Sequence, residues 1–442
     1  MYRWIDETYI KPVFETQSDK AEWFGYYNYD LMSRDGKKFL CNRASFDARG
    51  ITADDTLDLG WYDLESGEWH YIATTDSFNW EQGAMLQWLP GEGNENKVIY
   101  NFSDKVHFYA MIHDIVTGED RKIDFPIYGI TPDGRYSISL NYERSYWCRA
   151  YHYQPVVNAE YDVQVAEDDG VFLVDLQENK VKRIVSIQDI IALDADEDFG
   201  KAKHWLEHVM IDKAGEHFVC LHRFSYGPGY LTRIVAANID GTNLHIISDW
   251  RSATFTHTGF GKNDFVVYGS RMNSIQAAYT KQMFRVNDVA GDQSKQSVAV
   301  ALKRFARRFV PRGLKDSLKK NDRGYRHYAL KNGRYQLVAD YYWKMFHIDG
   351  HPSLSLDEKY MITDTYPDEN GNQNLVFFNT LNKKAICVAT LSAGLMGNPA
   401  SCDLHPKMCF HDKYVIVDTA YTGRHRMIVF EINWEAIKKS LQ

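Results

Sequence analysis

Four histidines open four copies of one sequence pattern in the C-terminal half of the chain. They are His208 in HVMIDKAGEHFVCLHR, His257 in HTGFGKNDFVVYGS, His351 in HPSLSLDEKYMITDT and His405 in HPKMCFHDKYVIVDT. Each heads a short apolar alternation, followed by a polar turn and an apolar strand. Imidazoles brought together would repel one another if protonated, so their convergence calls for a ligand that accepts neutral nitrogen donors. A divalent transition metal, manganese or zinc foremost, suits such a set, and iron and nickel also bind imidazole. Asp349 and Asp403 each stand two residues before a histidine, where period-two alternation aims them to the same side as His351 and His405. A plainer role is open as well, in which each histidine caps its strand or packs on the proline that follows.

Two further clusters carry the chemistry of anion recognition. NYERSYWCRAYHYQP, residues 141 to 155, concentrates Arg144, Arg149, Tyr142, Tyr146, Tyr151 and His152. CLHRFSYGPGYLTRI, residues 220 to 234, adds His222, Arg223, Tyr226, Tyr230 and Arg233. Guanidinium forks and tyrosine faces are what an anionic sugar requires, one for the carboxylate and the other for the ring. A solvated loop with aromatic packing would use the first cluster equally well.

The elements that must position these residues are short strands. The same grammar of polar head, alternating apolar residues, tight turn and apolar strand also starts at Tyr29, Gln82 and Ile127, making seven copies. DG, PDG and KAG supply the turns, and a second hairpin usually follows, as in GWYDLESGEWHYI, residues 60 to 72. Two hairpins make a four-stranded sheet, and seven such sheets packed radially make an all-β, seven-bladed β-propeller, here a single domain over residues 1–442. Two β-sandwiches are the alternative, but sandwiches do not repeat a strand-pair signature at this period. In a propeller the first strand of each blade lines the central channel. The four histidines therefore belong to one mouth. Blades one to three present Tyr29, Gln82 and the Ile127/Tyr128 pair at that point instead, so a metal site is expected off-axis toward the C-terminal half. Helix is confined to the stretch near residues 186 to 194, to NWEAIKKSL at the end, and to part of the segment 297–335.

That segment breaks the pattern between the fifth and sixth copies. It holds twelve Lys or Arg residues against Asp316 and Asp322, a net of +10 in a chain of net charge −8. Val298, Leu302, Phe305 and Phe309 fall at helical spacing opposite the arginines, and Pro311 would stop the helix. Such a basic amphipathic insertion could lie on an anionic bilayer through residues 299–320, close over an anionic glycan as a lid, or simply be solvated. The overall acidity, with a pI near 6.1, argues against a nucleic-acid partner. No apolar run approaches bilayer length. The start, MYRWIDETYIKPVF, lacks the basic head and apolar stretch of an export signal. The six cysteines show no CxxC spacing and are expected as free thiols, so a cytoplasmic setting is expected, membrane-associated where residues 299–320 meet a bilayer.

With KHWLEHVMID, CLHRF, DGHPSLSLDEKYMITDTYPD and DLHPKMCFHDKYVIVDTAYTGRHRMIVFEI on the page, the chain resembles the oligogalacturonate lyases and, more loosely, the ulvan lyases. Both are seven-bladed propeller polysaccharide lyases. The resemblance is clearest from about residue 203 to 430. It implies His222 as the proton-abstracting histidine and His257 and His351 as two of the metal-binding histidines. Where the lyase pattern has a glutamine and a further histidine ahead of the HP dipeptide, this chain has Phe346 and Asp349. The chemistry implied is β-elimination on an acidic, uronate-containing oligosaccharide or polysaccharide. His222 would take the C5 proton, Arg149 or Arg223 would hold the carboxylate, and a tyrosine such as Tyr151 would protonate the leaving oxygen. Arg144, Tyr226, Tyr230 and Gln82 would line the sugar, with the metal held by His208, His257, His351 and His405. The contrasting expectation is a non-catalytic propeller that binds an acidic glycan or a partner protein at the cytoplasmic membrane face.

Overall fold

The structure, a computed structural model, describes residues 2–144, 153, 156, 163–194, 199–225, 230–248, 250–251, 253–271 and 322–442. Its strands group into seven antiparallel sheets, six of four strands and one of five. In chain order they are the blades of a propeller. Blade four shows the pattern most fully, with strands Lys203–Ile211, His217–Ser225, Leu231–Asn238 and His245–Ser248 in simple up-and-down order. Blade five is built from Ala253–Phe260, Asp264–Arg271, Asp322–Lys331 and Arg334–Tyr341.

The ring closes through the chain's start. Blade seven takes Lys407–Cys409, Tyr414–Thr419 and Arg426–Ile432 from the C-terminal end, and its fourth strand is Ile10–Glu15. Strand Arg3–Ile5 adds a fifth, outermost strand to blade six, against Ala385–Ser392. Pairing the two ends in one sheet leaves no open blade edge at the seam. The C-terminal helix Trp434–Ser440 then covers the junction of blades six and seven, burying Ile437 and Leu441 against Tyr360, Phe377 and Phe430.

Local sequence explains the elements. β-branched and aromatic alternation supplies strands such as HFVCLHRFS and YVIVDT, whose apolar side chains form the layers between blades. The tight turns need left-handed backbone, and glycine supplies it. Gly134 has φ of +70°, and a Cβ there would sit 2.0 Å from the Pro90 carbonyl oxygen of the neighbouring blade. Ser186 caps the expected helix near residue 190, in a reciprocal box with Asp189, and the helix runs over Ile187–Ala192.

The C-terminal part of the basic segment is strand. Residues 322–335 belong to the third and fourth strands of blade five, so the chain departs from that blade after Arg271 and re-enters it at Asp322. Charge disguised those strands: in DRGYRHYALK, Tyr325 and Tyr328 are buried in different core clusters on either side of a register shift at His327/Tyr328, and Arg326 is itself buried against the Gly269 carbonyl. The expected amphipathic helix and the membrane contact of residues 299–320 lie outside the described residues. Among the described residues no helix is long and apolar enough to cross a membrane, and the five described cysteines are free.

Candidate metal centre

Seven side chains, one from each blade, gather at one mouth of the channel: Tyr26, Gln82, Tyr128 and the four histidines. Tyr29, the expected head of blade one, turns its hydroxyl to Met85 instead. The ring centroids of His257 and His351 are 4.0 Å apart, those of His351 and His405 4.2 Å, and those of His208 and His257 6.4 Å. Tyr26, from blade one, stacks on His208 at 5.3 Å and meets His405 edge-on at 5.1 Å. Gln82 donates from Nε2 to the Tyr128 hydroxyl at 2.6 Å, and that hydroxyl lies 3.4 Å from His208 Nδ1. The heads of blades one to four are thereby linked around the rim.

Regular alternation would not aim all of these side chains inward; irregular backbone does. Register slips between Glu207 and Met210, and between Phe255 and Thr258, put His208 and His257 in β-bulges. His208 and His405 also take left-handed φ values of 49° and 45°. The bulge lets two neighbours, Glu207 and His208, face the same pocket, with Glu207 Oε2 3.8 Å from His208 Nε2.

Asp364, the acidic residue of ITDT, organises the centre. It accepts the His351 backbone N–H at 2.6 Å, the His405 N–H at 3.1 Å, and Nδ1–H of His351 at 2.9 Å. Asp418, at the same place in IVDT, accepts the Phe24 and Gly25 N–H groups at 2.9 and 3.2 Å and so fixes the segment that carries Tyr26 and Tyr27. Each Asp-Thr pair thus ties its blade to the head of the next. With Nδ1 committed to Asp364, the His351 Nε2 lone pair is left to face the pocket. His257 is held likewise, its Nδ1 3.0 Å from Asp349 Oδ1.

One ligand atom each from His351, Asp403 and His405 lie within 4.8 Å of one another. His405 Nε2 is buried and has no hydrogen-bond partner. An orphaned imidazole nitrogen beside a second oriented imidazole and a carboxylate fits a divalent transition ion such as Mn, Zn or Fe. The electrostatics agree. Burial, then the His257 and Asp349 charges in opposite directions, leave His351 well below the usual histidine range, and burial with His351 does the same to His405. Burial and the nearby Asp364 charge push Asp403 up to about 8. The cluster resists both the protonated imidazole and the bare carboxylate, and a bound cation would relieve the second.

Other expected site residues sit elsewhere. His222 is sealed in the interior rather than at the mouth. Its Nε2 lies 2.9 Å from His204 Nδ1, while Arg233 donates to its Nδ1 at 2.9 Å. The reason is alternation: His222 and Arg223 are neighbours on one strand and point to opposite faces. Arg223 takes the face of the site, but it is buried, 3.1 Å from Glu207 and over the Tyr230 ring. Arg144 is buried too, donating to the Val163 and His204 carbonyls. Tyr230 is half-exposed. Arg149, Tyr151 and Tyr226 lie outside the described residues. Asp364, Tyr26, Tyr366, Glu81 and Glu207 did not stand out in the sequence as site residues, although the repeated Asp-Thr, thirteen residues after each HP histidine, was a visible signal for Asp364.

No protein-family model and no curated protein matches the sequence. Among solved structures, an oligogalacturonate lyase in complex with manganese aligns over 99% of this chain and 97% of its own, with a TM-score of 0.61 at 13% identity. A second oligogalacturonate lyase, from Vibrio parahaemolyticus, aligns over 98% and 97%, with a TM-score of 0.60 at 13% identity. The chain has the fold of oligogalacturonate lyase. The alignment runs the length of both chains, so the likeness to the lyase covers the whole seven-bladed propeller. The donor triad of this chain draws on blades six and seven, with Phe346 packed in an aromatic cluster against Tyr325 and Phe378 and Asp349 serving His257.

Proposed function

We propose that the protein is a metal-dependent lyase that cleaves acidic, uronate-containing glycans by β-elimination. The observation that carries this reading is the His351–Asp403–His405 donor set, two buried imidazoles and a partly buried carboxylate with an unpartnered His405 nitrogen, at the mouth of a propeller that shares the fold of a manganese-bound oligogalacturonate lyase. A divalent ion held there would draw charge from the substrate carboxylate and make the C5 proton more acidic.

The chain's own residues supply the rest. With His222 sealed inside, His208 is the better base: it is at the mouth, backed by Tyr128 on Nδ1 and by Glu81 and Glu207 near Nε2. It would take the C5 proton as the C4–O bond breaks, leaving a C4=C5 double bond and an alcohol on the departing sugar. Tyr366, whose hydroxyl is 3.4 Å from His257 Nε2, is kept protonated by burial and the surrounding carboxylates, and suits proton donation to that oxygen. Arg223 would orient the base through Glu207.

The test is a panel of uronate oligosaccharides followed near 235 nm, where the unsaturated product absorbs, with metal content measured in parallel. Turnover that falls by at least ~100-fold in His208→Ala, with metal retained, supports the reading. A metal-loaded protein inert towards the whole panel would favour the binding propeller instead.

A further inference from the structure

At the opposite end of the channel from the histidines lies a cavity of about 390 Å³ to which every blade contributes. Tyr27 forms its roof, with its hydroxyl donating to the Thr258 carbonyl at 2.9 Å, and so separates it from His351 above. This volume falls within the range of about 300 to 1,000 Å³ in which small molecules are held. Its wall is mixed, polar over nearly half of its surface, and Met32, Met210, Met408, Leu354 and Phe260 make up an apolar, sulfur-bearing part of it.

Two ammonium groups break that surface. Lys213 has an exposed stem, but its Nζ reaches across blade five to the Leu354 carbonyl of blade six at 3.1 Å. Lys407, from blade seven, lines the same space. Among the described residues no carboxylate lies within ion-pair distance of either. The acids present are engaged elsewhere or solvated. Asp412 accepts the Leu356 N–H at 2.7 Å, Asp212 accepts from Glu216 N–H at 2.9 Å and pairs with His217 at 2.8 Å, and Asp30 is exposed to solvent. Burial and the like charge of Lys407 push Lys213 down from the usual lysine range against the opposing pull of Asp412, Glu358 and Asp264, and an anion between the two lysines would add to that pull.

The rim also stores strain. Phe410, His411 and Asp412 take φ of 49°, 56° and 58°, three successive left-handed residues where the matching turns of blades one, three and four place Gly36, Gly134 and Gly215. A non-glycine residue adopts that backbone at a cost, and such strain concentrates where ligands are held.

We propose that this lower mouth binds a small amphipathic carboxylate, its chain among the methionines and its head between Lys213 and Lys407. The probe is sodium decanoate, titrated into full-length protein carrying ¹³C-methyl methionine. Saturable shifts at Met32, Met210 and Met408, with the exposed Met396 unmoved, are expected. The double substitution Lys213→Met and Lys407→Met should weaken binding by roughly tenfold or more, leaving bound metal unchanged. Decyltrimethylammonium, with the same chain and opposite charge, should not saturate those shifts. Silent methyls in the unsubstituted protein, equal affinity for the cation, or undiminished affinity in a folded double variant would each overturn the proposal.

Discussion

At the scale of single residues, the centre depends on side chains that fix other side chains. Asp364 touches no proposed substrate, yet it sets the tautomer of His351 and anchors the backbone of both HP histidines. Asp364→Asn should weaken metal affinity by roughly 10- to 100-fold, read by competition with a chromophoric chelator, while His405→Ala should remove near-stoichiometric metal outright. Metal retained in full by His405→Ala would exclude the triad. The buried chain of Arg233, His222 and His204 makes a separate prediction. Burial, with the Arg233 charge, holds His222 well below the usual range, and burial lowers His204 to about 4. Unfolded histidines titrate near 6.5. Between those values the unfolded chain binds protons that the folded chain refuses, so stability is full above pH 6.5 and falls as pH drops towards 4. His204 alone accounts for roughly 3 kcal/mol over that window. Urea midpoints at pH 7 and 5 should therefore diverge less for His222→Gln than for the unsubstituted protein; an unchanged gap would show that the pair does not set the slope.

At the scale of the element, the inner strand is the unit that carries function, and its irregularities matter more than its pairing. Bulges at Glu207–Met210 and Phe255–Thr258 rotate His208 and His257 towards the mouth. A sequence shows the histidine but not the bulge, because the extra residue is defined only against a partner strand. The expectation for His222 came from the resemblance rather than from the strand pattern. Its strand His217–Ser225 was legible, and the fold turns His222 to the buried face, against His204 and Arg233. Between elements, Asp418 joins blade seven to blade one through the Phe24 and Gly25 amides. Asp418→Ala would strand two buried N–H groups and should cost about 2 to 5 kcal/mol, measured by chemical denaturation. A loss below 0.5 kcal/mol, the usual bound for inconsequential surface changes, would mean that the junction is held by packing alone.

At the scale of the whole molecule, closure makes the site possible, since a ring of seven heads exists only when blade seven is completed by Ile10–Glu15. Deleting residues 1–15 should lower the thermal midpoint and the metal content together. A deletion variant that melts normally would show that the seam is dispensable. The sequence by itself determined a great deal. Alternation, turn residues and a sevenfold repeat specify strand pairs and their number, because these are local and periodic signals. The recurrence of histidine at one point of the repeat placed four imidazoles on one rim, since equivalent positions in a closed ring are neighbours. Tertiary structure alone decided which atoms of that rim form a donor set, that Tyr26 and Asp364 belong to it, and that His222 does not. Those outcomes turn on ångström distances between segments up to hundreds of residues apart, set by bulges, register and blade-to-blade packing, and no local pattern encodes them.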